Sequence, residues 1–243
     1  MFSAIVGHDP YDPGSAHVPV VDYSADLWRG VDGLRIGIIP DYFFHHLQPP
    51  VYAAVMAALE TFTGMGARIV NVEVEGIHGN ISAQLTIESC EPSTYHQQWL
   101  RDRPQDYGED VRLLLEAGEL HLATHYLQAQ RYRAVLRARF LEAFKSVDVF
   151  VCPTLPFTAT RVGETLVEIS EGVPEDMLSA IMQFTGVPSL TGLPSLNVPC
   201  GFDDHGLPIG MQIISRPFDE ATLLRVGAAF QDATDFHTRA PAL

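Results

Sequence analysis

Apolar positions along the chain change their period several times, and the changes mark out elements. Leu34 to Pro40, "LRIGIIP", is a short β-branched run between Gly33 and Pro40 and reads as a strand. Pro50 then opens a segment in which Val51, Val55, Ala58, Leu59 and Phe62 recur at helical spacing on one face. Gly64 and Gly66 close it, and "ARIVNVEV" (Ala67 to Val74) is a second strand. Strand, helix and strand at this spacing predict a parallel pair with a right-handed crossover.

Farther on, the pattern predicts a helix from Ile81 with a loop around Pro104, then a short helix closed by Gly118. The longest helix is expected from Glu119 to Ser146. Leu120, Ala123, Leu127, Ala134, Leu141 and Phe144 would face inward, and Arg131, Arg133, Arg137 and Arg139 mainly outward. "VDVFVCPTLP" (Val147 to Pro156) is a fully apolar strand running into a proline-rich loop. "PSLNVPCGF" and "PIGMQIIS" are two strands joined by the tight-turn sequence "DDHG", and Glu220 to Gln231 is a closing helix. At the other end "FSAIVG" resembles the last turns of a helix capped by Gly7, and Asp9 to Gly30 reads as loop. The whole predicts one α/β unit over residues 1–243.

Composition narrows the function classes. The 243 residues are 47% apolar and 19% charged, as in a folded globular chain. A net charge of −15 argues against nucleic acid and against an anionic membrane surface, both of which need clustered Lys and Arg. No apolar run is long enough to span a bilayer, and the first ten residues do not read as a signal peptide. Cys90, Cys152 and Cys200 are widely separated and contain no CxxC pair, which predicts reduced thiols and a cytoplasmic setting.

Candidate chemistry is sparse. His121 and His125 lie four apart, but "HLATH" has Leu where a metalloprotease carries Glu, so solvated helix histidines are expected. His45 and His46 are adjacent and point apart. Gly64-Met65-Gly66 ends a helix and begins a strand, the reverse of a dinucleotide loop. Cys200 with His205 is a candidate thiol nucleophile and base, although a tight turn between them normally throws the side chains apart. No G-x-S-x-G elbow occurs. No cofactor and no metal are expected.

Three runs carry a resemblance: "DVFVCPTLP", "SLTGLPSLNVPCGF" and "GLPIGMQIISRPFDEATLLRVGAAFQ". Together with "AIVGHDPYDPGS", "LRIGIIPDYF" and "AGELHLATHYLQAQRYRAVL", they resemble the C-terminal half of the amidase signature family, whose members hydrolyse or transfer carboxamides. The resemblance implies an α/β fold with an incomplete mixed central sheet flanked by helices. It also implies that the sequence begins where the family's post-signature helix ends. The family's two serines and its lysine base belong to the other half. This sequence has no Gly-Gly dipeptide, and its one lysine is Lys145, expected at an exposed helix end.

The resemblance further implies a substrate wall formed by the loop from Cys152 through Thr154 to Pro156 and by Thr185, Ser189 and Thr191, with Tyr95 and His96 as weaker candidates. Relatives commonly carry Asn where Ser189 stands. The Arg and Asp that hold glutamine in the amidotransferase members of the family align with Leu114 and Met182, which implies a less polar amide. Three readings follow. The chain is the C-terminal portion of an amidase, inactive alone and completed by an N-terminal half. Or it is a non-catalytic remnant or assembly component that associates with itself or a partner chain. Or it is a hydrolase repurposed around Cys200.

Overall fold

The computed structural model describes residues 2–170 and 172–240. Strand β1 (Arg35–Ile38) is followed by a single helical turn, α1 (Pro40–Phe43), then α2 (Pro49–Gly64) and β2 (Arg68–Asn71). The β1 and β2 strands are parallel, with Ile36 opposite Ile69. All five apolar residues of the α2 stripe are buried. Pro49 and Pro50 occupy the first turn, where the missing N–H costs nothing. Gly66, at φ 92°, turns the chain into β2.

Helices α3 (Asn80–Asp102), α4 (Glu109–Gly118) and α5 (Ala123–Ala143) follow, then strand β3 (Val149–Pro153). A two-stranded hairpin, β4 (Leu166–Ser170) and β5 (Val173–Asp176), leads into α6 (Met177–Thr191). Strands β6 (Ser195–Phe202) and β7 (Pro208–Ile214) and helix α7 (Glu220–Ala233) complete the order. The main sheet runs β2-β1-β3-β7-β6. It is parallel from β2 to β3 and antiparallel from β3 to β6, so it is mixed as expected.

Alternation along β3 divides the core. Val149 and Val151 face α2 and α7, in one apolar layer with Phe62, Met211, Val226 and Phe230. Phe150 and Cys152 face the other way, toward α3, α5 and α6, with Phe140, Phe144, Phe184 and Val187. β3 is buried along its whole length, which accounts for its uninterrupted apolar run.

The structure corrects four expectations. Residues Phe2–Ala4 form a single 3-10 turn, and no helix reaches Gly7. Helix α5 begins at Ala123 rather than Glu119, and α3 is longer. The inward face of α5 is Ala129, Leu136 and Phe140, with Phe144 just beyond. Leu120, Ala123, Leu127, Ala134 and Leu141 are exposed. Apolar residues lie on both sides of this helix, so periodicity alone does not select the packed side. Arg137 and Arg139 also turn inward to backbone carbonyls, of Thr191 (2.6 Å) and Glu75 (2.6 Å). Finally, the β4–β5 hairpin and α6 have no counterpart in the pattern reading, and Ser189 to Thr191 are the last residues of that helix.

Candidate functional site

The site is assembled where β3, β7 and β6 lie side by side. Cys152 pairs with Gln212, and Gln212 with Asn197, so these three share a face of the sheet. Two positions along each strand, Thr154, Gly210 and Ser195 lie on that same face. Toward the interior the row is closed: Cys152 is enclosed, and burial pushes its thiol well above the ordinary range. Toward the β6 edge it opens, with Thr154 half-buried and Ser195 and Asn197 exposed. Here the Thr154 hydroxyl donates to Asn197 Oδ1, and Thr154 N donates to Gly210 O (3.0 Å). A Cβ on Gly210 would come within 2.5 Å of Asn197 Oδ1 and 3.1 Å of Thr154 Oγ1, so only glycine lets the two side chains meet.

Gln212 fixes this strip to α6. Pro188 lies inside that helix and has no N–H for the carbonyl four residues earlier, Phe184 O. Gln212 Nε2 donates to Phe184 O instead (3.1 Å), and also lies 3.4 Å from Pro153 O. Its Oε1 accepts from Ser195 Oγ (3.2 Å). One buried carboxamide therefore ties β3, β6, β7 and α6 together. Helix α6 starts with Asp176 accepting from Ser179 N (2.8 Å) and ends at Gly192, whose φ of 66° is the left-handed cap. Arg137 sits against that C-terminal end, where a cation meets the negative pole of the helix dipole.

The predicted wall residues fall into distinct places. Thr154 faces the open strip. Pro156 is buried, and its carbonyl accepts from Gln48 N (2.9 Å). Thr185 is half-buried on α6 and donates to Ile181 O, while Ser189 is exposed near the helix end. Thr191 is fully enclosed, its hydroxyl donating to Val187 O (2.6 Å). Cys152 and Thr191 are thus both enclosed in the packed interior. Tyr95 and His96 belong to a separate aromatic cluster on α3 with Trp99 and Tyr107, where His96 Nδ1 lies 3.1 Å from the Tyr107 hydroxyl. Sequence reasoning does not reach Ser195, Asn197, Gly210 and Gln212. Their signal is a polar or glycine residue at every second position of strands that are otherwise apolar.

Other candidate groups sit elsewhere. Cys200 is buried on β6 and its thiol is pushed up to about 12, so it carries almost no thiolate at neutral pH. His205 is exposed in the β6–β7 turn. Lys145 is at the solvent, its ammonium 2.6 Å from Glu142. Leu114 is exposed on α4, and Met182 is buried on α6. Among the described residues, no group of three or more His, Cys, Asp or Glu could hold a metal ion. None of the described helices is long and apolar enough to cross a membrane.

Comparison with known proteins adds the family. The Amidase family profile matches residues 1–224. An amidase of Pseudomonas putida is 42% identical over 243 residues, all of this chain and 52% of that protein. The A component of the glutamyl-tRNA(Gln) amidotransferase of Myxococcus xanthus is 36% identical over 269 residues, all of this chain and 54% of its own length. A solved chain described as part of a vestigial protein complex at the origin of an s-triazine catabolic enzyme superposes with a TM-score of 0.86 at 30% identity. That alignment covers 95% of this chain and 50% of the other. A bacterial aryl acylamidase shares the fold, with a TM-score of 0.80 at 22% identity over 96% of this chain and 50% of that one. The chain spans about half the length of the relatives it matches. With the Amidase family profile matched over residues 1–224, the chain belongs to the amidase signature family.

Proposed function

We propose that this chain forms one α/β unit that supplies half of the central sheet and one wall of a carboxamide-binding pocket in an amidase. The observation that carries the reading is the open polar strip of Thr154, Gly210, Asn197 and Ser195, set on a sheet face that is elsewhere packed with apolar side chains. A carboxamide has one acceptor and two donors. Thr154 Oγ1 and the Asn197 carboxamide offer complementary groups at one end of β3. The enclosed Cys152, in the same strand row, keeps water from the rear of the wall.

Hydrolysis also needs a nucleophile, a base and oxyanion donors. Lys145 is solvent-exposed and ion-paired, and the buried Cys200 stays protonated, so neither supplies these groups. The chain alone is therefore inactive toward carboxamides and requires an N-terminal half carrying the family's serines and lysine. Apolar Leu114 and buried Met182 support a substrate less polar than glutamine. The position of β6 at the edge of the sheet and the exposed apolar residues of α5 support association with a second polypeptide, in a cytoplasmic setting where the three cysteines stay reduced. The test is ammonia release from aliphatic and aromatic carboxamides by the pure chain. No turnover is expected, and turnover abolished by a serine-reactive inhibitor would overturn the reading.

A further inference from the structure

Outside the strip, a second constellation joins the β4–β5 hairpin to the loop after α1. His46 Nε2 lies 2.6 Å from Glu175 Oε1, and its Nδ1 lies 3.1 Å from Ser170 Oγ. The two contacts use the two ring nitrogens, so the imidazole bridges a carboxylate and a serine hydroxyl. In the tautomer that donates from Nε2 to the carboxylate, the Nδ1 lone pair faces the hydroxyl.

The arrangement is held on three sides. Val167 pairs with Glu175 and Val173 with Ser170 across the hairpin, which fixes the carboxylate and the hydroxyl relative to each other. Two residues beyond His46, Gln48 Nε2 donates to Glu168 O (2.7 Å) and Gln48 Oε1 accepts from Thr158 N (2.9 Å). The His46 loop is thereby clamped to β4. Ser170 is exposed, while the His46 and Glu175 side chains retain only 25% and 32% of their exposure, so a reagent reaches the hydroxyl and the base stays partly shielded. Nucleophile, base and orienting acid within hydrogen-bond reach are what an activated serine requires.

We propose that Ser170 is a nucleophile activated by His46, with Glu175 as the positioning residue, and that it accepts acyl groups from activated aryl esters. Ser170 Oγ attacks the ester carbonyl carbon while its proton passes to His46 Nδ1. The bond from that carbon to the phenolic oxygen breaks, and the departing phenolate takes the proton from His46. The acyl group stays on Oγ until water replaces it by the same route. An aryl oxide is a good leaving group and demands little oxyanion stabilisation. A carboxamide demands much more, so this site is distinct from the proposed amide chemistry and does not depend on it.

The probe is p-nitrophenyl acetate with the intact chain, read by protein mass and peptide mapping. One acetyl group on Ser170 is expected, lost in Ser170→Ala and slowed by ~10²-fold in His46→Ala. Imidazole added to His46→Ala should restore part of the Ser170 labelling, which a purely structural histidine would not permit. Glu175→Gln should lower the saturating labelling rate by about tenfold with little change in the half-saturating ester concentration, as expected for an orienting group. Circular dichroism of each variant separates loss of labelling from loss of fold, and Ser170→Ala, an exposed truncation, is the variant least able to unfold the chain. Absence of acetylation, or acetylation unchanged in Ser170→Ala and spread over Lys145 and the tyrosines, would overturn the proposal.

Discussion

Replacing Gln212 by Leu removes the side chain that ties α6 to the three-strand junction through the carbonyl freed by Pro188. The wild-type carboxamide donates to Phe184 O at 3.1 Å, is 3% exposed, and accepts from Ser195 Oγ at 3.2 Å. In Gln212→Leu, Ser195 is exposed and turns to water at little cost. Phe184 is fully buried, and its carbonyl has neither the helix N–H nor the side chain. An orphaned buried acceptor costs roughly 1–3 kcal/mol, so the variant should lose ~2 kcal/mol of stability. Pro188→Ala restores an N–H at the position from which Phe184 O is normally reached. In the double variant the orphan is satisfied again, and the penalty of Gln212→Leu should shrink by about 1 kcal/mol. The effect of proline on the unfolded chain appears in both arms of the cycle and cancels. Urea unfolding followed by circular dichroism measures all four proteins. Strict additivity of the two substitutions would refute the claim that Gln212 compensates for Pro188.

Gly210→Ala should leave stability within about 1 kcal/mol of wild type in the same assay, because the Asn197 Oδ1 that its Cβ would meet at 2.5 Å ends an exposed side chain that can turn to solvent; a larger loss would mean that the Thr154–Asn197 contact is rigidly held. The Asp148 carboxylate is held below its usual range, first by the Arg35 side chain, with the Arg35 backbone N–H (2.8 Å) and Arg216 adding to it. Its folded pKa is depressed, so its stabilisation is present above the unfolded carboxylate value of about 3.9 and is lost as pH falls below it. A titration of stability in Asp148→Asn should lack that acid loss, and an unchanged acid limb would count against the pairing. Light scattering of the pure chain should detect dilution-sensitive association through the β6 edge and the bare side of α5; a monomer at all concentrations that binds no hydrophobic dye would contradict this.

Elements are legible in the sequence wherever one period dominates. The α2 stripe, the uniformly apolar β3 and the "DDHG" hairpin each have a single packing solution, and the structure has them as read. Periodicity misplaces the packed face of α5 because Leu127, Val135 and Leu141 on one side compete with Ala129, Leu136 and Phe140 on the other. Only its neighbours decide between them. Helix α6 is hidden by Pro188 and Gly186, which ordinarily end helices. Here Gln212, far along the chain, replaces the lost hydrogen bond, and Gly186 lets the Gln84 side chain approach the α6 backbone. Thr154 is singled out in the sequence only through the family resemblance, since no local pattern marks it. Asn197 escapes notice because its partner, across an intervening strand at Gly210, is visible only once the register is known.

The central claim is that this chain holds a pocket wall and lacks the groups that break the amide bond. Its most direct test mixes the pure chain with the portion of the Pseudomonas putida amidase that the alignment leaves unmatched, and follows ammonia release from an aryl or alkyl carboxamide. The account predicts no release from either piece alone, release from the mixture, and loss of that release in Thr154→Val and Asn197→Leu forms that still assemble. Turnover by this chain alone, or a complemented enzyme indifferent to both substitutions, would contradict it.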